Sequence, residues 1–319
     1  VNVLVSGASG LIGSALVAAL GAEGHRVLRL VRPESSHAEN PPGGSAAESA
    51  PQRIAWDPAA GWIDSGALEQ SGAIDAAVHL AGAGIADKRW SPARKQLILD
   101  SRIQGTRLLC ETLAARPQPP ATFVCASAIG FYGNRGDERL DESSTSGQSA
   151  EATATFTSEV VAAWESSTSA LDPTVTVAAH ARLGVVLAAS GGALAAQLPF
   201  FRLGLGGRIG SGQQWISWIT LEDAVRAFSW LLAHPLAGPV NLTSPAPVTN
   251  AEFTKALGRA LHRPTAIPIP RAALWLRLGR ELTADLLEAG AHVSPARLTE
   301  AGFGFEHPTI DEALSAVLS

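Results

Sequence analysis

Two cysteines, Cys110 and Cys125, are all that 319 residues contain, and no CxxC occurs. A disulfide framework and a thiolate zinc site are thereby excluded. The eight histidines are scattered without an HExxH, so no metal centre is expected. Lysine is scarce: Lys88, Lys95 and Lys255 are the three in the chain, and Tyr132 is the one tyrosine. No dense basic run occurs, and 24 basic against 29 acidic residues leave a net charge of -5, so nucleic acid is not an expected partner. Long apolar runs are also missing. The longest uncharged stretch, Val1 to Ala22, contains Asn2, Ser6, Ser9 and Ser14, and Gly7, Gly10 and Gly13 break a helix through its first half. A second stretch, between Arg182 and Arg202, is interrupted by Gly191, Gly192, Gln197 and Pro199. No membrane span is expected. The opening residues enter a strand and a glycine loop with no basic leader, so no signal peptide is read and cytoplasm is the expected location.

What is present is a chain 46% apolar and 17% charged, with material for one large core or two smaller ones. Val1 to Ser6 reads as a buried parallel strand, Leu11 to Glu23 as a helix closed by Gly24, and His25 to Val31 as a second strand. That order predicts a right-handed βαβ unit. The polar stretch Pro33 to Gln52 is expected to be a mobile surface insertion. Further strands are predicted at Arg53 to Trp56, Ile74 to Ala81, Ala121 to Ser127 and within Thr174 to Leu187. Helices are predicted over Lys88 to Arg116, Phe156 to Leu171 and Glu222 to Leu232, the last with Thr220 near its cap. After Pro235 proline recurs and the helices shorten, which predicts a smaller helical region packed on the sheet.

Gly7-Ala-Ser-Gly10-Leu-Ile-Gly13 lies between the first strand and the first helix. In that context the first glycine permits a tight turn, the second a close approach of backbone to a pyrophosphate, and the third close packing of helix on sheet. The free N–H groups of the helix start, at Leu11 and Ile12, face the phosphates together with the helix dipole. An NAD site presents Asp or Glu at the end of the second strand, to hold the ribose 2′-OH. This chain has Arg29 and Arg32 there and no acid before Glu34, which favours a 2′-phosphate and hence NADP(H). Two solvated arginines at a strand end are the alternative.

With these residues in view, the sequence resembles the short-chain dehydrogenase/reductase superfamily in its extended, nucleotide-sugar-epimerase-like branch. GASGLIG at Gly7 to Gly13, HLAG at His79 to Gly82, SAIGFYG at Ser127 to Gly133 and RLGVVL at Arg182 to Leu187 carry the likeness. More narrowly it is similar to an atypical "epimerase family protein" group with a small C-terminal domain. The marks of that group are IADKRW at Ile85 to Trp90, SRIQGT at Ser101 to Thr106, the run Phe201 to Ile219, and Ser294 to Pro308. The resemblance implies an α/β fold: a Rossmann-like doubly wound parallel sheet flanked by helices, with a smaller, mainly helical C-terminal region. Residues 1–235 would form the NADP(H)-binding domain, with 182–218 partly contributing to the substrate cleft, and 236–319 the substrate-side domain. Residue by residue, it implies pyrophosphate binding at Gly7, Gly10 and Gly13 and 2′-phosphate binding at Arg32. Asp57 would bond the adenine amino group, and the Ala81–Gly82 backbone would flank the adenosine ribose.

The superfamily's catalytic YxxxK pair is missing. The residue four past Tyr132 is Gly136, and no lysine lies between Lys95 and Lys255. Matching Glu165 to the glutamate that ends the family's catalytic helix places the tyrosine position on Thr157 and the lysine position on Val161. A one-residue slip would place Phe156 at the tyrosine position instead. Ser127 stands at the strand end where the superfamily serine or threonine is expected, although an ungapped match of the YG element puts that role on Ala128 instead; a turn-capping hydroxyl is the alternative for Ser127. Tyr132, five residues on, is the replacement acid closest to hand. Lys88, Arg89 and Trp90 together suit an anionic, partly planar ligand, or else are a helix start with a solvated basic pair. Arg208, Ser211, Gln213, Gln214 and Trp218 lie in a region that helps clasp substrate in related epimerases. The expectation is an NADP(H)-dependent oxidoreductase or epimerase-like enzyme, monomer or homodimer, acting on a small polar or anionic molecule. Its rivals are a non-catalytic NADP(H)-binding sensor and an interaction protein with a vestigial loop.

Overall fold

In the computed structural model of the chain, residues 1–33, 52–149 and 154–319 are described. Apart from its two end residues, the insertion expected at Pro33 to Gln52 lies outside them. Strand β1 (Asn2–Ser6) buries Val3, Leu4 and Val5 in succession, as a strand covered on both faces does. Helix α1 (Leu11–Ala22) returns the chain to β2 (Arg26–Val31). Strand β3 (Gln52–Asp57) turns back on the short β4 (Trp62–Ile63), and α2 (Ser65–Gln70) follows, capped by the Asp64 carboxylate. Strand β5 (Ala76–His79), the long helix α3 (Pro92–Ala114) and β6 (Thr122–Ala128) continue the alternation. Beyond a single 3₁₀ turn (Ile129–Tyr132) lie β7 (Arg139–Leu140), α4 (Phe156–Ser166), β8 (Val177–Leu183) and β9 (Val185–Leu187). Then come α5 (Gly192–Arg202), β10 (Trp215–Ile216), β11 (Trp218–Thr220), α6 (Leu221–Ala233) and β12 (Gly238–Leu242). The remainder holds β13 (Val248–Thr249), α7 (Asn250–Leu261), α8 (Arg271–Leu278), α9 (Arg280–Thr283) and a π-helical turn (Ala284–Glu288). Strand β14 (His292–Val293), α10 (Ala296–Glu300) and α11 (Ile310–Leu318) end the chain.

Eight strands form the main sheet in the order β12-β8-β6-β5-β1-β2-β3-β4. All neighbours are parallel except β3 and β4. The chain builds outward from β1 through β2 and β3, then returns to the other side of β1 with β5. The strand order therefore reverses between β1 and β5, and a doubly wound sheet binds ligands at the carboxyl ends of such a pair. Ser6 and His79 are partners in register at that point.

Two sequence expectations are adjusted by local sterics and capping, and a third by strand pairing. The helix expected from Lys88 starts at Pro92, because Ser91 caps it by accepting from the Arg94 amide; residues 88–90 are loop. The strand expected through Leu187 divides at Gly184, where a Cβ would lie 2.5 Å from the Ser217 carbonyl oxygen. Strand β8 stays in the main sheet while β9 leaves it to pair with β11. The domain boundary expected at residue 235 falls before β12, which hydrogen-bonds to β8, so the main sheet extends past it. A second core, built from Leu194 and Phe201 of α5, Trp218, Phe253 and Leu257 of α7 and Leu314 of α11, holds the C-terminal region against β9 and β11. Among the described residues no helix is long and apolar enough to cross a membrane.

Candidate cofactor and active site

Gly7 turns the chain out of β1 with φ at +69°, a conformation that side chains resist. A Cβ there would stand 2.7 Å from the Leu80 carbonyl carbon, and one on Gly13 would stand 2.1 Å from the Gly7 carbonyl oxygen. The loop is folded on itself so closely that only backbone fits, and Ser9 and Gly10, just before α1, are exposed. No side chain caps that helix and its first turn carries no acid, so the N–H groups of its first turn, including Leu11 and Ile12, meet no competing carboxylate. Gly10 is the N-cap residue in extended conformation, and a Cβ there would make only a 3.4 Å contact with the Gly7 carbonyl oxygen, so internal packing does not demand glycine at this position.

Beneath the loop the buried Ser6 hydroxyl accepts from the amides of Leu80 (3.2 Å) and Ala81 (3.4 Å) and lies 2.6 Å from His79 Nδ1. The hydroxyl and Nδ1 share one hydrogen bond, whose direction follows the tautomer of the ring. Burial pushes the His79 pKa down to about 3, with the Arg102 guanidinium adding to the effect, so the ring is neutral. This arrangement fixes the backbone leading into half-buried Ala81 and exposed Gly82. At the sheet's other flank, Val31 pairs with Ala55, which sets exposed Arg32 beside the end of β3. Asp57 ends β3, and its Oδ1 accepts from the amides of Ala59 (3.0 Å) and Ala60 (3.3 Å).

The two expected catalytic hydroxyls are both engaged within the protein. Ser127 is buried at the end of β6 and donates to Glu165 Oε1 at 2.6 Å. Glu165 in turn holds Arg182 through two bonds of 2.8 Å. Arg182 donates to the Tyr132 hydroxyl at 3.0 Å, and that hydroxyl donates to Asn241 Oδ1 at 2.7 Å. Asn241 passes the chain on to the Ser294 carbonyl. Tyr132 is fully buried, its pKa is pushed up to about 12 by burial, and the Arg182 guanidinium stacks 3.4 Å from the Phe131 ring centroid. A phenol so enclosed and so weakly acidic does not fit the proton-donor role expected of it. It belongs to a buried polar network that joins β6, α4, β8 and β12 to the C-terminal region.

Helix α4 starts at the residues expected to replace the family's tyrosine. Thr155 caps it in a capping box with Ser158. The Thr157 hydroxyl donates to Asp285 Oδ1 at 2.5 Å, and the Thr157 amide donates to Oδ2 at 3.0 Å. Asp285 lies on the π-helical turn, 128 residues further along the chain. Burial raises its carboxyl above the ordinary range, against the hydrogen bonds from Thr157 and Thr155. No sequence signal pointed to this residue, since the contact is set by how the C-terminal region docks.

The expected substrate residues are dispersed. Lys88 is exposed. Arg89 donates to the carbonyls of Trp275, Leu276 and Arg277 at the end of α8, so its guanidinium serves the protein and not a ligand. Trp90 donates to the Ile85 carbonyl and packs edge-on against Phe156, with centroids 4.9 Å apart. Arg208 is exposed and donates to the nearby Gly210 carbonyl. Trp218 is fully buried in the second core with its indole N–H on the Ala246 carbonyl, which removes it from any substrate surface. Gln213, Ser211 and Gln214 do converge, on a cavity of about 290 Å³ also lined by Asp137, Trp215 and Arg271. Trp215 is the tryptophan of that region that lines the cavity: it donates to Asp137 Oδ1 at 2.9 Å and stacks on His292 at 3.9 Å. The alternation of strands β10 and β11 decides which indole turns inward, and two residues so close in sequence are hard to tell apart without it.

Comparison with known proteins agrees with this geometry. Residues 3–243 match the NAD dependent epimerase/dehydratase family, and residues 269–317 match a domain of unknown function, DUF1731. The chain is 44% identical to the epimerase family protein Mb2239 of Mycobacterium bovis over 98% of its own length and 96% of that protein's. It is 37% identical to the epimerase family protein SDR39U1 of Bos taurus, over the whole of both chains. Among solved structures, human SDR39U1 (isoform 2) with NADPH superposes with a TM-score of 0.84 at 34% identity, covering 99% of each chain. A nucleoside-diphosphate sugar epimerase from Corynebacterium glutamicum superposes at 0.73 with 31% identity, over 99% of this chain and 58% of that one. The glycine cradle at the β1–β5 switch point, the parallel sheet and the matched sequence together establish that this chain belongs to the NAD dependent epimerase/dehydratase family and resembles its epimerase family proteins over their full length.

Proposed function

We propose that the chain binds NADP(H) across the carboxyl end of its sheet and uses it in the oxidation or reduction of a small polar or anionic molecule. The observation that carries this reading is the cradle: at Gly7 and Gly13 a Cβ would collide with backbone, while no side chain caps the start of α1. These residues fit a dinucleotide. The first-turn amides at Leu11, Ile12 and Gly13 would hold the pyrophosphate, and the Arg32 guanidinium would pair with the 2′-phosphate. Asp57 would take the adenine side, and Ala81 and Gly82 would flank the ribose. The NADPH in the human relative's structure supports the same assignment. When bound, the nicotinamide supplies hydride chemistry. Everything else must come from the protein: orientation of the substrate, exclusion of water and a route for the proton.

The polar cavity beside Gln213 and Trp215 is the proposed substrate site. Its hydroxyl, amide and indole groups suit a polyhydroxylated or phosphorylated molecule, and the likeness to the Corynebacterium nucleoside-diphosphate sugar epimerase supports a sugar nucleotide as one such class. Of the expected basic pair Arg89 is committed to α8, and exposed Lys88, which does not line that cavity, is proposed to meet an anionic substituent that extends beyond it. A second reading is a non-catalytic NADP(H) sensor, favoured by the engagement of Ser127 and Tyr132 in the buried network. Fluorescence titration with NADPH, followed by a screen for NADPH oxidation with carbonyl compounds, separates the two. Turnover supports the enzyme; tight binding with no turnover across the screen supports the sensor.

A further inference from the structure

Resting on the NADP(H)-dependent reading, we propose that Asp285, delivered by the C-terminal region, is the acid–base group of this site and that Thr157 is its hydrogen-bonded partner. Thr157 occupies the helix position matched to the superfamily's tyrosine, and its side chain lies against the turn that leaves β6. A Cβ on Gly130 would stand 3.1 Å from the Thr157 Cβ, three residues beyond Ser127. The cofactor edge of the sheet and the C-terminal region therefore meet at this hydroxyl. The Asp285 carboxylate accepts from both the Thr157 hydroxyl (2.5 Å) and the Thr157 amide (3.0 Å), so both of its oxygens are oriented. Asp285 is half-buried, with neither the full enclosure of Tyr132 nor the solvation of a surface acid. It is carried by a π-helical turn, a backbone form that recurs at functional sites.

The other candidates for a proton route are engaged elsewhere. Ser127 donates to Glu165, and Tyr132 is closed off by Arg182 and Asn241. Burial holds the Asp285 carboxyl above its ordinary value, which suits a group that must carry a proton and then release it. The charged side chains on the elements around it are Glu159 and Glu165 on α4, Arg280 and Glu281 on α9, and Glu288 on its own turn, with Glu165 held by Arg182. Of these, Glu281 is paired with Lys95 of α3 and Glu288 with Arg271 of α8. In the reducing direction the O–H bond of the acid breaks, an O–H bond to the substrate's carbonyl oxygen forms, and the electron pair stays on the carboxylate. The hydride that balances the reduction comes from a dihydronicotinamide. The carboxylate left behind keeps its two bonds from Thr157.

The test compares the full native chain with Asp285→Asn and Thr157→Val. Oxidation of NADPH at 340 nm is followed with a panel of small aldehydes, ketones and quinones. NADPH affinity is measured by fluorescence, and the fold is checked by melting temperature. The native chain is expected to oxidise NADPH with at least one probe, and Asp285→Asn to lose about 100-fold or more in kcat with NADPH affinity unchanged. Thr157→Val is expected to lose less. A readout independent of turnover is the ¹³C carboxyl resonance of Asp285 in the NADP⁺-saturated chain. Its midpoint is expected above the ordinary carboxylate value, and higher still in Thr157→Val, which loses a donor to the charged form. Native kcat in Asp285→Asn, no oxidation of any probe by the native chain, or an Asp285 midpoint at or below the ordinary value overturns the proposal. Failure of the native chain to bind NADPH contradicts the cofactor reading itself and removes the proposal with it.

Discussion

A methyl group on Gly13 would lie 2.1 Å from the Gly7 carbonyl oxygen, which is backbone and has nowhere to go. Gly13→Ala is therefore expected to cost about 1–3 kcal/mol of stability through overpacking and to abolish NADPH binding, read by thermal unfolding and fluorescence titration. Unchanged binding would show that the loop is not the pyrophosphate site. The glycines were legible because a turn, a close approach and a helix contact each demand the same residue type in a fixed order. Tyr132 was legible only as a chemical group. Its burial depends on Arg182 and Asn241, 50 and 109 residues away, so its role in the core had no local signature. Glu165 and Arg182 form a buried ion pair whose members are 11% and 4% exposed. Glu165→Ala leaves the guanidinium buried and unpaired, and about 3–5 kcal/mol of stability should be lost on urea unfolding, whereas Tyr132→Phe should cost only about 1–3 kcal/mol. Equal and small losses would mean that the network is solvated. His79 supplies a pH dependence. Its folded pKa, about 3, lies below the unfolded value of 6.5, so its contribution to stability is present above pH 6.5 and is lost as pH falls toward 3. Between pH 6.5 and 5 the native chain should lose on the order of 2 kcal/mol more than His79→Gln in urea titrations, and parallel curves would contradict a buried neutral ring.

Helix α8 shows how an element's role escapes its sequence. It has no buried residue, and Leu276 is 81% exposed, so little apolar packing holds it. What holds its end is Arg89, from a loop almost 190 residues earlier, reaching the Trp275, Leu276 and Arg277 carbonyls of the last turn, the first of which also accepts from the Gly279 amide. Read along the chain, Arg89 beside Lys88 and Trp90 resembles a ligand cluster; in the fold it is a helix cap. Arg89→Ala is expected to speed amide hydrogen exchange across residues 271–278 while leaving NADPH affinity and the melting temperature near native values. Unaltered exchange there would show that other contacts fix the helix. The long apolar strands and α1, α3 and α6 were legible in type because their patterns are strong, and their ends moved by the few residues that capping decides. The split at Gly184 required knowing that the Ser217 carbonyl approaches it, a contact between segments more than 30 residues apart.

At the scale of the molecule, a doubly wound sheet brings the ends of β1, β2, β3, β5 and β6 to one edge, and the C-terminal region is tied to the sheet domain through α4 and the buried polar network. The fold class followed from the order of strand, glycine turn, helix and strand together with the family resemblance. The placing of the substrate side did not follow, because the contacts that build it run between the two regions. The claim on which the rest depends is that this edge takes NADP(H), selected by Arg32. The most direct measurement is fluorescence titration of the native chain and Arg32→Glu with NADPH and with NADH. Loss of one charge-assisted interaction should weaken NADPH binding by about 10- to 100-fold in the variant while NADH binding changes little. Equal loss of affinity for the two cofactors, or a native chain that binds NADH as tightly as NADPH, would contradict the assignment.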